Sequence, residues 1–130
     1  MAKTTPTMED YIETIFLLIS KKGYARSADI AEKLKIYPSA VTKMVKKLDA
    51  EGYIKYEKYR GIALTPKGRG MGDYTLKRHK ILEEFLGVIG VKEENIYQEV
   101  EGIEHHFSKD SISKITILIE YLKEKNYKLK

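Results

Sequence analysis

The sequence predicts a mainly α protein: an N-terminal winged helix-turn-helix with a two-stranded β wing, then a C-terminal helical domain. Three observations lead there. Apolar residues recur at helical spacing through most of the 130 residues, a period of two is confined to one short stretch around Tyr56, and basic side chains crowd that same region. The division is expected near residue 72, giving domains 1–72 and 73–130.

Thr7 or Thr5 can cap a first helix over residues 8–22, where Met8, Ile12, Ile15 and Ile19 form one apolar face and Phe16, Leu17 and Leu18 widen it. Gly23 ends it. Ser27 is placed to cap a short helix over 28–34, with Ile30, Ala31 and Leu34 inward. Lys35-Ile36-Tyr37-Pro38 is a tight connection whose proline can open a helix but not continue one. A second helix over 39–51 carries Val41, Met44 or Val45, and Leu48 on its apolar stripe, and Gly52 stops it. Ile54, Tyr56 and Lys58 then alternate with Lys55 and Glu57, Tyr59-Arg60-Gly61 makes a turn, and residues 62–65 return, closed by Pro66-Lys67-Gly68. Helical spacing resumes over 70–89, 93–107 (weakened by Gly102) and from an Asp110 cap to about residue 125. The stripes Ile96–Val100–Ile103–Phe107 and Ile112–Ile115–Leu122 are candidate dimer contacts.

Composition narrows the function. Lys and Arg number 24 against 19 Asp and Glu, a net charge of +5, and residues 33–69 alone carry ten basic and three acidic side chains. Such a field points to a polyanion. There is no cysteine, which excludes disulfides, thiolate metal sites and cysteine nucleophiles. No apolar run approaches the roughly 20 residues of a membrane span, and Met1–Pro6 lacks the pattern of a signal peptide. A cytoplasmic protein is expected, with no membrane partner.

Helix, tight turn, second helix and basic hairpin is the winged helix-turn-helix order. Its second helix must bury one face and offer short polar and basic side chains on the other. Ser39, Thr42, Lys43, Lys46 and Lys47 do so, and they suit the base edges and phosphates of a major groove. Lys55, Lys58 and Arg60 on the hairpin suit the backbone beside it. The competing reading is a helical bundle with an incidental hairpin and a solvated lysine-rich surface. Order, spacing and the local excess of charge together favour double-stranded DNA.

A second constellation stands apart. Asp10 and Glu13 share a helix face, as do Glu101, Glu104 and His105 at i, i+3 and i+4, while His79 lies in the long connecting helix. If they converge, two carboxylate pairs and two imidazoles suit a divalent transition metal. Spacing alone does not bring three helices together, and solvated surface carboxylates are the alternative. His106 points about 100° further round the helix and reads as a surface residue.

Met8-Glu9-Asp10-Tyr11-Ile12-Glu13, Gly23-Tyr24-Ala25-Arg26, Asp29-Ile30-Ala31, Val41-Thr42-Lys43-Met44-Val45, Tyr56-Glu57-Lys58-Tyr59-Arg60-Gly61 and Val100-Glu101-Gly102-Ile103-Glu104-His105-His106 resemble the manganese-transport regulator branch of the diphtheria-toxin-repressor family. The resemblance runs nearly end to end. It implies a homodimeric, metal-activated transcriptional repressor of metal-uptake genes, acting on a roughly palindromic operator. It also implies Asp10, Glu13, His79, Glu101, Glu104 and His105 as ligands of a two-metal cluster in each subunit, with Glu13 and Glu104 bridging. The iron-responsive branch has Met where Asp10 stands and Cys where Glu101 stands. Two hard oxygen donors in their place argue for Mn2+, other divalent transition metals being the alternatives. Tyr37 and Ala40 depart from the His and Ser usual in close relatives, which bears on the operator sequence. Two rival functions are a di-metal hydrolase and a winged-helix regulator indifferent to metal. The first lacks any substrate-pocket motif, so no enzymatic activity is expected.

Overall fold

Thr7 and Asp10 set the start of the first helix, α1 (Met8–Lys22). Asp10 N–H donates to Thr7 Oγ1 at 3.1 Å and Thr7 N–H donates to Asp10 Oδ2 at 2.8 Å, a reciprocal capping box. Gly23 closes the helix at φ +82°, its N–H donating to Ile19 O. The computed structural model describes residues 6–57 and 59–125 and divides into two units, Met1–Thr75 and Leu76–Lys130.

In the first unit, α2 (Ser27–Leu34) begins one residue earlier than expected, and Ser27 lies inside it rather than capping it. The reason is a pairing that the sequence pattern does not show. Ala25 bridges Ile62, whose N–H donates to Ala25 O at 2.9 Å, so the chain stays extended through Arg26 and turns helical directly afterwards. Lys35 ends α2 in the left-handed region at φ +55°, ψ +49°. Pro38 opens α3 (Pro38–Ala50). Strands β1 (Ile54–Glu57) and β2 (Gly61–Leu64) pair antiparallel, with Ile54 opposite Leu64 and Glu57 opposite Gly61. Ile54, Ile62 and Leu64 reach the core with Ile12 and Ile15 of α1, Ile30 of α2, and Val41, Val45 and Leu48 of α3, whereas Tyr56 toward the wing tip is exposed.

Helix α4 (Pro66–Val88) begins four residues before the expected position. Gly68, Gly70 and Gly72 lie in its first turns, where glycine lowers helix propensity. Two of them allow close packing. A Cβ on Gly68 would lie 1.9 Å from Tyr53 O, and one on Gly72 would lie 2.7 Å from the Phe16 ring. Thr65 fixes the helix start: its Oγ1 accepts from Gly68 N–H at 3.1 Å and donates to Gly52 O at 2.6 Å.

In the second unit, Leu82 of α4, Val100 of α5 (Glu93–Ile103) and Ile112 of α6 (Lys109–Glu124) form the core, with Ile96, Phe107 and Ile115 against it. Ser108, not Asp110, caps α6, accepting from Ser111 N–H at 3.0 Å. Asp110 lies in the first turn, where its charge suits the helix dipole. Of the expected dimer stripes, Val100 and Ile112 are buried here and Ile96, Phe107 and Ile115 pack against them, whereas Ile103 is exposed. The large apolar side chains that α6 leaves outside are Ile117, Leu118 and Tyr121. Among the described residues no helix is long and apolar enough to cross a membrane.

Candidate functional site

The acidic and imidazole groups of the second unit gather where α5 ends. The expected helix to Phe107 stops at Ile103. The chain then tightens into a 3-10 turn, Glu104–His106, and Phe107 is extended. Gly102 weakens the last helical turn, and the tightening carries Glu104 into the interior, where it is fully buried.

His79 Nδ1–H donates to Glu104 Oε2 at 2.6 Å. The same nitrogen is 3.6 Å from Glu101 Oε1, and Nε2 is 3.5 Å from Glu83 Oε1, one turn along α4. The Tyr97 ring packs at 5.1 Å from the His79 ring. The hydrogen bond to Glu104 holds the His79 pKa above the ordinary histidine value. Burial opposes this, and the charges of Glu104, Glu83 and Glu101 add to it. Protonated His79 therefore stabilises the metal-free protein. That contribution is fully present below the unfolded value of about 6.5 and fades as pH rises through the higher folded value. An NMR titration of metal-free protein is expected to give a His79 midpoint above about 6.5. A lower midpoint would show that burial outweighs the carboxylate. A metal held by His79 would displace this proton, so its affinity would weaken on acidification.

Glu104 Oε1 is buried and accepts no hydrogen bond among the described residues. Arg78 Nη2 at 3.6 Å and His105 Nε2 at 3.9 Å stand beyond hydrogen-bond reach of it. A buried carboxylate oxygen without a donor is costly unless a cation faces it. One ligand atom from each of His79, Glu101 and Glu104 lies within 4.8 Å of the others. Oxygen and imidazole donors without sulfur fit a divalent transition ion.

These three candidate ligands come together within one unit, with His105 beside them in the 3-10 turn. Asp10 and Glu13 stand on α1 in the other unit, where Asp10 also serves the capping box. His106 is exposed. The sequence reading missed Arg78, Glu83 and Tyr97. Only Glu83 left a signal, standing four residues after His79 on the same helix face.

In the first unit, burial of Val41, Val45 and Leu48 leaves Ser39, Thr42, Lys43, Lys46 and Lys47 of α3 exposed. Thr42 Oγ1 donates to Pro38 O at 3.1 Å. Lys55 is exposed on β1, and Arg60 at the wing turn has its Nε 3.6 Å from Glu57. Lys58 lies outside the described residues. Tyr37, at the N-cap of α3, is 82% exposed. Arg26, Ser27, Tyr56 and Tyr59 line a groove between the start of α2 and the turn of the wing.

Residues 3–62 match the family described as iron dependent repressor, N-terminal DNA binding domain, and residues 65–130 match iron dependent repressor, metal binding and dimerisation domain. The chain is 58% identical over 125 residues to the HTH-type transcriptional regulator MntR of Geobacillus kaustophilus (strain HTA426), a match covering 96% of this chain and 89% of that protein. It is 59% identical over 121 residues to the protein of the same name from Bacillus subtilis (strain 168), covering 93% and 85%. Its fold is similar to the solved structure of the manganese regulator SloR, with a TM-score of 0.78 and 30% identity, covering 91% of this chain and 55% of that one. These matches remove the hydrolase alternative, because the family consists of regulators and not enzymes. The chain belongs to the iron-dependent repressor family, on its manganese-transport regulator branch, and is a metal-dependent, DNA-binding transcriptional regulator.

Proposed function

We propose that this chain is a cytoplasmic Mn2+-responsive repressor of metal-uptake genes. Residues 1–72 bind a roughly palindromic operator, and residues 73–130 carry metal ligands and the contact between two copies. The observation that carries the reading is Glu104, a fully buried carboxylate whose Oε1 accepts no hydrogen bond among the described residues, gathered with His79 and Glu101. Asp10, Glu13 and His105 would complete the proposed ligand set for two ions. Hard donors at Asp10 and Glu101 support Mn2+. A bound divalent ion would supply the positive charge that several carboxylates need at once. Without that charge the carboxylates repel one another. Ile117, Leu118 and Tyr121 on α6 offer apolar surface to a second copy, and two-fold symmetry in such a dimer matches a palindrome.

On the DNA side, Ser39 and Thr42 face base edges, while Lys43, Lys46, Lys47, Lys55, Lys58 and Arg60 neutralise phosphates. The test selects duplexes from a random pool with Mn2+ present and measures their affinity across a panel of divalent metals and in chelator. Binding is expected to require a transition metal. Affinity that chelator leaves unchanged would take the metal out of the mechanism. Lys43→Gln and Lys55→Gln are each expected to flatten the logarithmic salt dependence by about one unit. An unchanged slope in both would move the interface elsewhere.

A further inference from the structure

Arg78 has no role in the functions assigned above, yet it is 3% exposed. A guanidinium keeps its charge in proteins, so this is a permanent buried cation. Its Nη2 lies 3.6 Å from Glu104 Oε1 and 3.3 Å from His105 Nδ1. One nitrogen thus faces two of the proposed ligands, including the Glu104 oxygen that accepts no hydrogen bond among the described residues.

The contact with His105 can run only one way. Guanidinium nitrogens donate and never accept, so His105 Nδ1 accepts and the neutral ring carries its proton on Nε2. In that state the Nδ1 lone pair is engaged by Arg78, and Nε2 has none to offer. Ligation through Nδ1 needs the lone pair that Arg78 holds. Ligation through Nε2 moves the ring proton to Nδ1, where it would face another donor. By either nitrogen, Arg78 must let go before His105 can bind an ion.

We propose that Arg78 is a displaceable stand-in for the metal, holding Glu104 and His105 in the metal-free protein and competing with the ion for them. The inference rests on the metal-centre reading and adds a positioning residue outside the ligand set. It makes an unusual demand on a residue so close to the ligands. A side chain that only orients ligands supports affinity, and removing it weakens the metal. A competitor does the opposite. Arg78→Met removes a charge-assisted hydrogen bond that must otherwise be given up, and is expected to tighten Mn2+ binding by about tenfold.

The experiment is a calorimetric Mn2+ titration of the full chain as parent, Arg78→Met and Arg78→Lys. It is joined to 15N NMR of the parent's histidines without metal and with Cd2+ as a diamagnetic probe. The metal-free parent should show His105 protonated at Nε2 and bare at Nδ1, and Cd2+ should abolish that pattern. Arg78→Met should bind Mn2+ more tightly and melt at a lower temperature without it. Arg78→Lys keeps the charge but loses the planar fork. It should lie between the other two, and it carries the test should Arg78→Met fail to fold. Mn2+ binding no tighter than the parent's in the folded variants, or a His105 tautomer indifferent to Cd2+, overturns the inference. A parent that binds no Mn2+ is a distinct result, and it overturns the metal-centre reading itself.

Discussion

Glu104→Gln is expected to abolish metal-dependent DNA binding while leaving the C-terminal unit folded. Glutamine keeps the shape of the side chain, and its amide oxygen can still accept from His79 Nδ1–H in place of the 2.6 Å contact. It removes the negative charge and, with it, the strongest candidate donor. Loss of even a supporting partner at a metal site costs 10- to 100-fold in affinity, so loss of this ligand should cost about 100-fold or more. Glu104→Ala asks a different question. It leaves Arg78 and His79 buried without their carboxylate. Breaking a buried ion pair from one side costs about 3–5 kcal/mol, against a total stability of about 5–15 kcal/mol for an ordinary domain. Alanine should therefore lower stability sharply in urea, and glutamine should do so much less. His106→Ala, at the exposed neighbour, should bind Mn2+ like the parent. A glutamine variant that titrates with Mn2+ as the parent does would remove Glu104 from the ligand set.

Gly68→Ala should produce the second large effect, on the fold of the first unit alone. The added Cβ would lie 1.9 Å from Tyr53 O and 2.9 Å from Tyr53 C, both backbone atoms with no rotamer to change. The first turn of α4 must then move away from the start of the wing. Overpacking usually costs about 1–3 kcal/mol, and a backbone clash of this kind belongs at or above the upper end. Gly70 lies in the same helix, and a Cβ there meets nothing within 4 Å. Gly70→Ala should therefore be neutral or stabilising by up to about 1 kcal/mol, since alanine is the better helix former. Denaturation curves of the two variants read the difference directly. Similar stability in both would contradict the packing account.

These two residues also show what the sequence makes legible. The limits of α1 follow from Thr7, the i, i+4 apolar face and Gly23, because local chemistry decides them. The wing, the turn at Gly61 and the Pro38 start of α3 are local in the same sense. Elements whose limits depend on distant partners escape. Ser27 fails to cap α2 because Ala25 pairs with Ile62, 37 positions away. The start of α4 is hidden because Pro66-Lys67-Gly68 reads as the close of the hairpin until Tyr53 is seen against Gly68. At the candidate metal site, residue type and spacing single out Glu101, Glu104, His105 and His79, together with Asp10 and Glu13 of α1. Arg78 looks like any solvated basic residue on a helix. Its burial is set by Glu104, which lies beyond any local pattern.

Lys35 holds a conformation that lysine does not favour, at the end of α2 just before α3. For an L-residue the left-handed region costs about 1–2 kcal/mol, and glycine would occupy it without that cost. A chain shaped by stability alone would place glycine there. The side chain that lysine retains is exposed and adds one positive charge to the basic stretch 33–69. Long-range attraction of this kind raises the rate of encounter more than the final affinity, and salt suppresses it. At this turn backbone ease and surface charge pull in opposite directions: the glycine that would relieve the strain would also remove a charge whose effect falls on the rate of encounter rather than on contacts at equilibrium.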